Sequence, residues 1–162
     1  SQTDGEPLPT LPLVLEAVKG RVPLLIELKH DGANAKELVA ATVKGLEGYE
    51  GDYILESFDP RCIRYLKKHY PQVIRGQLTE NFMKTGGKLP WIIRFCMSKQ
   101  LWNFLTMPDF VAYKFADRKN LGNRIVRKLW GVQGVTWTLK TPQEHAAAVE
   151  EGWIPIFEDY TP

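Results

Sequence analysis

Short runs of apolar and β-branched residues recur along the chain: "LLIEL" (24–28), "YILES" (53–57), "VIRGQL" (73–78), "FVAYK" (110–114), "GVTWTL" (134–139) and "IPIFE" (154–158). Each has the length and composition of a strand. Helical patterns lie between them, "NAKELVAATVKGL" from Asn34, "DPRCIRYLKKHY" from Asp59, "LPWIIRFCMSKQLWNFL" from Leu89, "GNRIVRKLW" from Gly122 and "TPQEHAAAVEEG" from Thr141. The last reads as a capping box, with Thr141 at the N-cap, Pro142 next and Glu144 at the third position, and with Gly152 as a stop. Asp59 followed by Pro60 gives the same start signal. A further helix is predicted at "TLPLVLEAV", where Thr10 can cap and Leu11, Val14, Leu15 and Val18 share a face. Strict alternation predicts parallel strands joined by right-handed crossovers, because no NG or DG hairpin turn separates two strand runs. A doubly wound sheet and a (β/α) barrel both satisfy this pattern, and both place their chemistry at the carboxyl ends of the strands.

With 162 residues, 44% hydrophobic and 25% charged, the chain is read as one domain over 1–162. A net charge of +2 and the lack of any run of five like charges set nucleic acid aside as a partner. Cys62 and Cys96 are isolated from each other and from any zinc-type spacing, so they are read as buried free thiols. That favours a reducing compartment such as the cytoplasm. The opening "SQTDGEPLP" has neither the basic nor the apolar part of a secretory signal, and no segment reads as transmembrane.

The first strand run carries the candidate chemistry. In "LLIELKHDG" (24–32), alternation puts Leu25, Glu27 and Lys29 on one face and Leu24, Ile26 and Leu28 on the other. An ionised Glu facing a sheet interior is costly unless it is paired or holds a cation. Two readings follow: a Glu27–Lys29 ion pair that satisfies itself, or a site for a metal and an anion.

Five segments, taken in order, resemble the glycerophosphodiester phosphodiesterase family. "LPTLPLVLEAV" is similar to its "IPTLEEVLE" helix, "PLLIELK" to its "LLIEIK" strand, and "ILESFDP" to its "vvSFdp" strand. "VTWTLKTPQE" is similar to its "WTvn" strand, and "IPIFEDYTP" to its closing "IiTD.P". The resemblance implies the C-terminal part of an eight-stranded (β/α) barrel, with a divalent cation, Mg²⁺ or Ca²⁺, at its mouth. It also implies hydrolysis of glycerophosphodiesters to glycerol phosphate and an alcohol. On that pattern Glu27 is a metal ligand, Lys29 neutralises the substrate phosphate and Trp137 borders the substrate pocket. A hard cation with oxygen ligands, helped by an ammonium, suits charge growing on a transferring phosphoryl group.

The family's "HRG" histidine, its "ExD" ligand pair and its second catalytic "HD" have no counterpart in the matching order here. No catalytic residue is therefore assigned. His69 and His145 are predicted to be solvated helix residues, and His30 a loop residue. Glu56 stands where the family usually has a small residue, and is read as a local ion-pair partner. Glu158, at the closing strand, stays unassigned. A barrel of this type needs about 250 residues, so six predicted strands are expected to form a partial barrel, about six of eight βα units, with two front units missing. Its open edges predict self-association. Isolated, such a chain is expected to be inactive and to hold its cation weakly or not at all. Residues 89–107 could touch a membrane surface or acyl chain, but are read as a covering helix or lid, with Gly86 and Gly87 as a hinge. Three functions follow from these features: part of a metal-dependent phosphodiesterase, a non-catalytic domain binding phosphate or lipid head groups, or a purely structural fragment.

Overall fold

The six apolar runs form six strands in one sheet: β1 Leu24–Glu27, β2 Tyr53–Ser57, β3 Arg75–Thr79, β4 Phe110–Lys114, β5 Gln133–Leu139 and β6 Ile154–Phe157. The structure, a computed structural model, describes residues 8–29, 34–81, 83, 90–98, 103–118 and 131–162. Spatial order follows chain order, and every neighbouring pair is parallel. The sheet curls into a partial (β/α) barrel, which decides against the doubly wound alternative.

Among the described residues the α-helices are α1 Leu11–Val18, α2 Ala35–Gly45, α3 Pro60–His69, α4 Trp91–Ser98, α5 Asn103–Thr106 and α6 Pro142–Glu150. Capping follows the sequence at two of the predicted starts. The Asp59 carboxylate accepts from the Arg61 N–H at 2.7 Å, and the Thr141 hydroxyl accepts from the Glu144 N–H at 3.2 Å. The Glu144 carboxylate, in turn, accepts from the Lys140 N–H. Thr10 and Asn34 occupy cap positions without a side-chain cap bond. Of the long helix predicted from Leu89, the described residues show helix over Trp91–Ser98 and Asn103–Thr106, α4 and α5. The predicted helix from Gly122 and the Gly86–Gly87 hinge lie outside the described residues. The third strand begins two residues later than expected, at Arg75, because the chain is still turning at Val73, whose N–H donates to the Tyr70 carbonyl at 3.0 Å.

Alternation divides the sheet into two faces, broken only by the irregularity between Thr136 and Leu139 of β5 among the described pairings. On the convex side, Ile26, Leu28, Tyr53 and Leu55 pack with Val39 and Val43 of α2 and Cys62, Ile63 and Leu66 of α3. Farther round, Tyr113 and Leu139 meet Ala148 of α6 and Trp153. On the concave side, Leu78, Phe110, Ala112 and Val135 form a core with Ile54, Phe58, Trp137 and Ile156. Gly76 makes this second core possible. A Cβ at that position would lie 2.1 Å from the Phe110 ring, so only glycine lets the ring cross over β3. Cys62 is a buried free thiol, as expected, whereas Cys96 is only half-buried.

Candidate functional site

The carboxyl ends of β1 and β2 bring two carboxylates together. Glu27 is paired in register with Glu56, and alternation puts both on the concave face. Glu27 keeps 31% of its side chain exposed, and Lys29, 79% exposed, sits with its Nζ 3.4 Å from Glu27 Oε2. The sequence-predicted pair thus exists, as a loose contact whose ammonium stays largely in water.

Glu56 is not the ion-pair partner that the sequence suggested. It is only 5% exposed, and among the described residues no basic group pairs with it. Its Oε2 is buried without a hydrogen-bond partner. On its far side the register continues to Gly76 and then Phe110, whose ring fills the space over Gly76. This burial, with the neighbouring Glu27 charge adding to it, pushes the Glu56 pKa up from 4.5 to about 7. Parity puts Glu56 on the face of Ile54 within β2; what the sequence withheld was the cross-strand register that sets it beside Glu27.

Trp137 stands on the opposite wall. Its ring meets Phe58, in the loop after β2, edge to face, with centroids 5.6 Å apart and planes at 89°. Both belong to the concave core, so this aromatic pair spans the sheet beside the acidic end. The Trp137 indole nitrogen is buried without a hydrogen-bond partner.

Two further charged groups, unassigned in the sequence, reach the same rim. Lys114 ends β4 in register with Trp137, and its Nζ lies 3.8 Å from the carboxylate of Glu80, which follows β3. The "FVAYK" alternation, which places Lys114 on the face of Phe110 and Ala112, was the available signal.

Backbone ties on the helix side hold this rim. Ser57 donates its hydroxyl to the Leu28 carbonyl at 2.7 Å, and the Gln77 amide donates to the carbonyls of Ser57 and Phe58 at 2.9 and 3.1 Å. These bonds fix the exit of β2 against β1 and set the position of Phe58.

The other predicted residues fall elsewhere. His69 is exposed on α3 and stacks on Tyr65. His145 departs from expectation: it is half-buried, with Nδ1 3.1 Å from the Tyr160 hydroxyl, and packs on Phe157. Glu158 pairs with Lys140. His30 lies outside the described residues. A cavity of about 650 Å³ lies between α1 and the turn after α2, lined by Leu15, Lys19, Tyr49 and Glu50. It opens near the start of β2, away from the carboxylates. Among the described residues no helix is long and apolar enough to cross a membrane.

No family sequence model and no curated protein matches the chain. Solved structures do match its fold. A phosphodiesterase from Oleispira antarctica, in complex with the product sn-glycerol-3-phosphate, superposes with a TM-score of 0.73 at 18% identity, covering 94% of this chain and 57% of that one. A glycerophosphodiester phosphodiesterase from Parabacteroides distasonis gives 0.70 at 15% identity, with 92% and 59% covered. That from Thermotoga maritima gives 0.63 at 18% identity, again with 92% and 59% covered. The chain therefore spans less than two thirds of the length of these structures. Over that span it has the fold of glycerophosphodiester phosphodiesterases, the family its sequence motifs resemble.

Proposed function

We propose that the chain supplies the C-terminal part of a metal-dependent phosphodiesterase that converts glycerophosphodiesters to glycerol phosphate and an alcohol. The observation that carries this reading is the fold match to phosphodiesterases, one of them holding glycerol 3-phosphate, combined with Glu27 and Lys29 side by side at the carboxyl end of a barrel strand.

The donor chemistry fits a hard cation such as Mg²⁺ or Ca²⁺. Glu27 offers carboxylate oxygens that are partly desolvated, and an unpaired buried carboxylate oxygen lies on the neighbouring strand. Among the described residues no group of three or more ligating side chains occurs, so Glu27 is one ligand of a set that these residues do not complete. When bound, the cation would act as a Lewis acid on a phosphoryl oxygen. Lys29, held only loosely by Glu27, is free to swing its ammonium onto the phosphate and offset its charge. Trp137 and Phe58 form an apolar wall against which the carbon skeleton of the substrate packs. No side chain here is assigned as general acid or base, so the chain alone binds without turnover.

The lack of a counterpart to the family's histidine motifs favours a second reading, a domain that binds phosphate or lipid head groups without catalysis. Calorimetric titration with glycerol 3-phosphate separates the two. Binding that requires Mg²⁺ and weakens about tenfold or more in Lys29→Met, the loss of a charge-assisted contact, supports the phosphodiesterase reading. Binding of equal strength in EDTA supports the head-group domain. Hydrolysis of bis(p-nitrophenyl) phosphate above a Glu27→Gln control would contradict the inactivity of the chain alone.

A further inference from the structure

The phosphodiesterase reading assigns Glu56 no role of its own, yet Glu56 is a buried carboxylate at the mouth with an oxygen left unpaired. It is a carboxylate 5% exposed, with an Oε2 that touches no donor, set in register beside a second carboxylate on a neighbouring strand. Adjacent strands lie about 4.8 Å apart, so the two charges repel across a short gap. Phe110 fills the space over Gly76, which lies in register on the other side of Glu56, and Lys29 stands on the outer, solvated side of Glu27. Buried acceptors without a donor carry a desolvation cost of about 1–3 kcal/mol, more when charged, and a chain that keeps one normally supplies a partner for it. The partner absent from the side chains here is positive, small and able to meet two carboxylates at once.

We propose that Glu27 and Glu56 together clasp one divalent cation, with Glu56 as the dry ligand and Glu27 as the solvated one. The inference rests on the reading of Glu27 as a cation ligand and extends it to a residue of this chain that the sequence left outside the site. Mg²⁺ suits such a pair, because it is held through one or two carboxylates and keeps water or phosphate oxygens in its remaining positions. Glu56 thereby lets β1 and β2 retain a cation by themselves, where Glu27 alone would hold it weakly.

The test is calorimetric titration of Mg²⁺ into the full chain stripped with EDTA, beside thermal unfolding with and without Mg²⁺. The expected result is saturable uptake of one Mg²⁺ with a rise in Tm. Both Glu27→Gln and Glu56→Gln should weaken uptake about tenfold or more, since even groups that only orient a metal ligand carry that much. Melting in EDTA verifies that each variant is folded, and Glu56→Leu removes the charge without leaving a new polar group. Uptake lost in Glu27→Gln but kept in both Glu56 variants overturns the pair and leaves Glu27 standing as a ligand. Uptake kept in Glu27→Gln overturns both readings. No saturable uptake by the wild-type chain overturns the pair.

Discussion

The two faces of the curled sheet are built to different standards. On the convex face, Val39, Leu55, Ile63 and Leu66 are fully buried, and strand and helix side chains close over one another. On the concave face, Leu25 of β1 and Ile154 of β6 remain 39% and 51% exposed at the two edge strands, and Glu56 is buried without a partner. The convex face is explained by packing alone. The concave face contains groups that packing alone would have replaced, and those are the groups that assign it a task.

Substitutions on each side measure that difference. The largest effect is expected from the convex face: Leu66→Ala should destabilise by about 3 kcal/mol, within the range for a fully buried leucine. Urea unfolding checks it, and a loss below about 1 kcal/mol would mean the helix layer is looser than its burial indicates. Glu56→Gln on the concave face should act in the opposite direction, and only above acidic pH. In EDTA the folded chain binds more protons than the unfolded chain between pH 4.5 and about 7, because the Glu56 pKa is raised. Wild-type stability should therefore fall as pH rises through that window, and the glutamine variant should escape the fall. The rise from 4.5 to about 7, at about 1.4 kcal/mol per pH unit, caps the effect near ~3 kcal/mol. Parallel slopes for the two proteins would show that Glu56 is not desolvated. The smallest effect belongs to Glu27→Gln, under about 1 kcal/mol on stability for a largely solvated ion pair. Because the Glu27 charge is the lesser cause of the Glu56 shift, the variant should also move the upper end of that pH window downward. An unmoved window would mean the two carboxylates do not sense each other.

Much of this fold could be read from periodicity. The strand runs, their parallel order and the sharing of one face by Glu27 and Lys29 all follow from alternation and from the lack of hairpin turns, and the Asp59 and Thr141 caps are local signals. Long-range register was not readable. Nothing near Glu56 in sequence states that it lies opposite Glu27, or that Gly76 makes room for a ring contributed by Phe110, thirty-four positions on. The same holds for His145, whose contact with Tyr160 depends on how α6 sits on the last strand. Of the candidate site, Glu27, Lys29 and Trp137 came from motif resemblance, whereas Glu56, Glu80 and Lys114 emerged only when neighbouring strands were aligned.

Gln77 links the two faces. It resides among the helix-covered residues and has no view of the mouth, yet its amide grips the carbonyls of Ser57 and Phe58, where the chain turns over the rim. An apolar residue in its place would remove that donor from both carbonyls and loosen the hold on the loop whose ring meets Trp137. Damage at a position remote from any bound molecule would then surface as altered ligand selectivity, so a survey confined to mouth-lining residues would miss one of the anchors that shapes it.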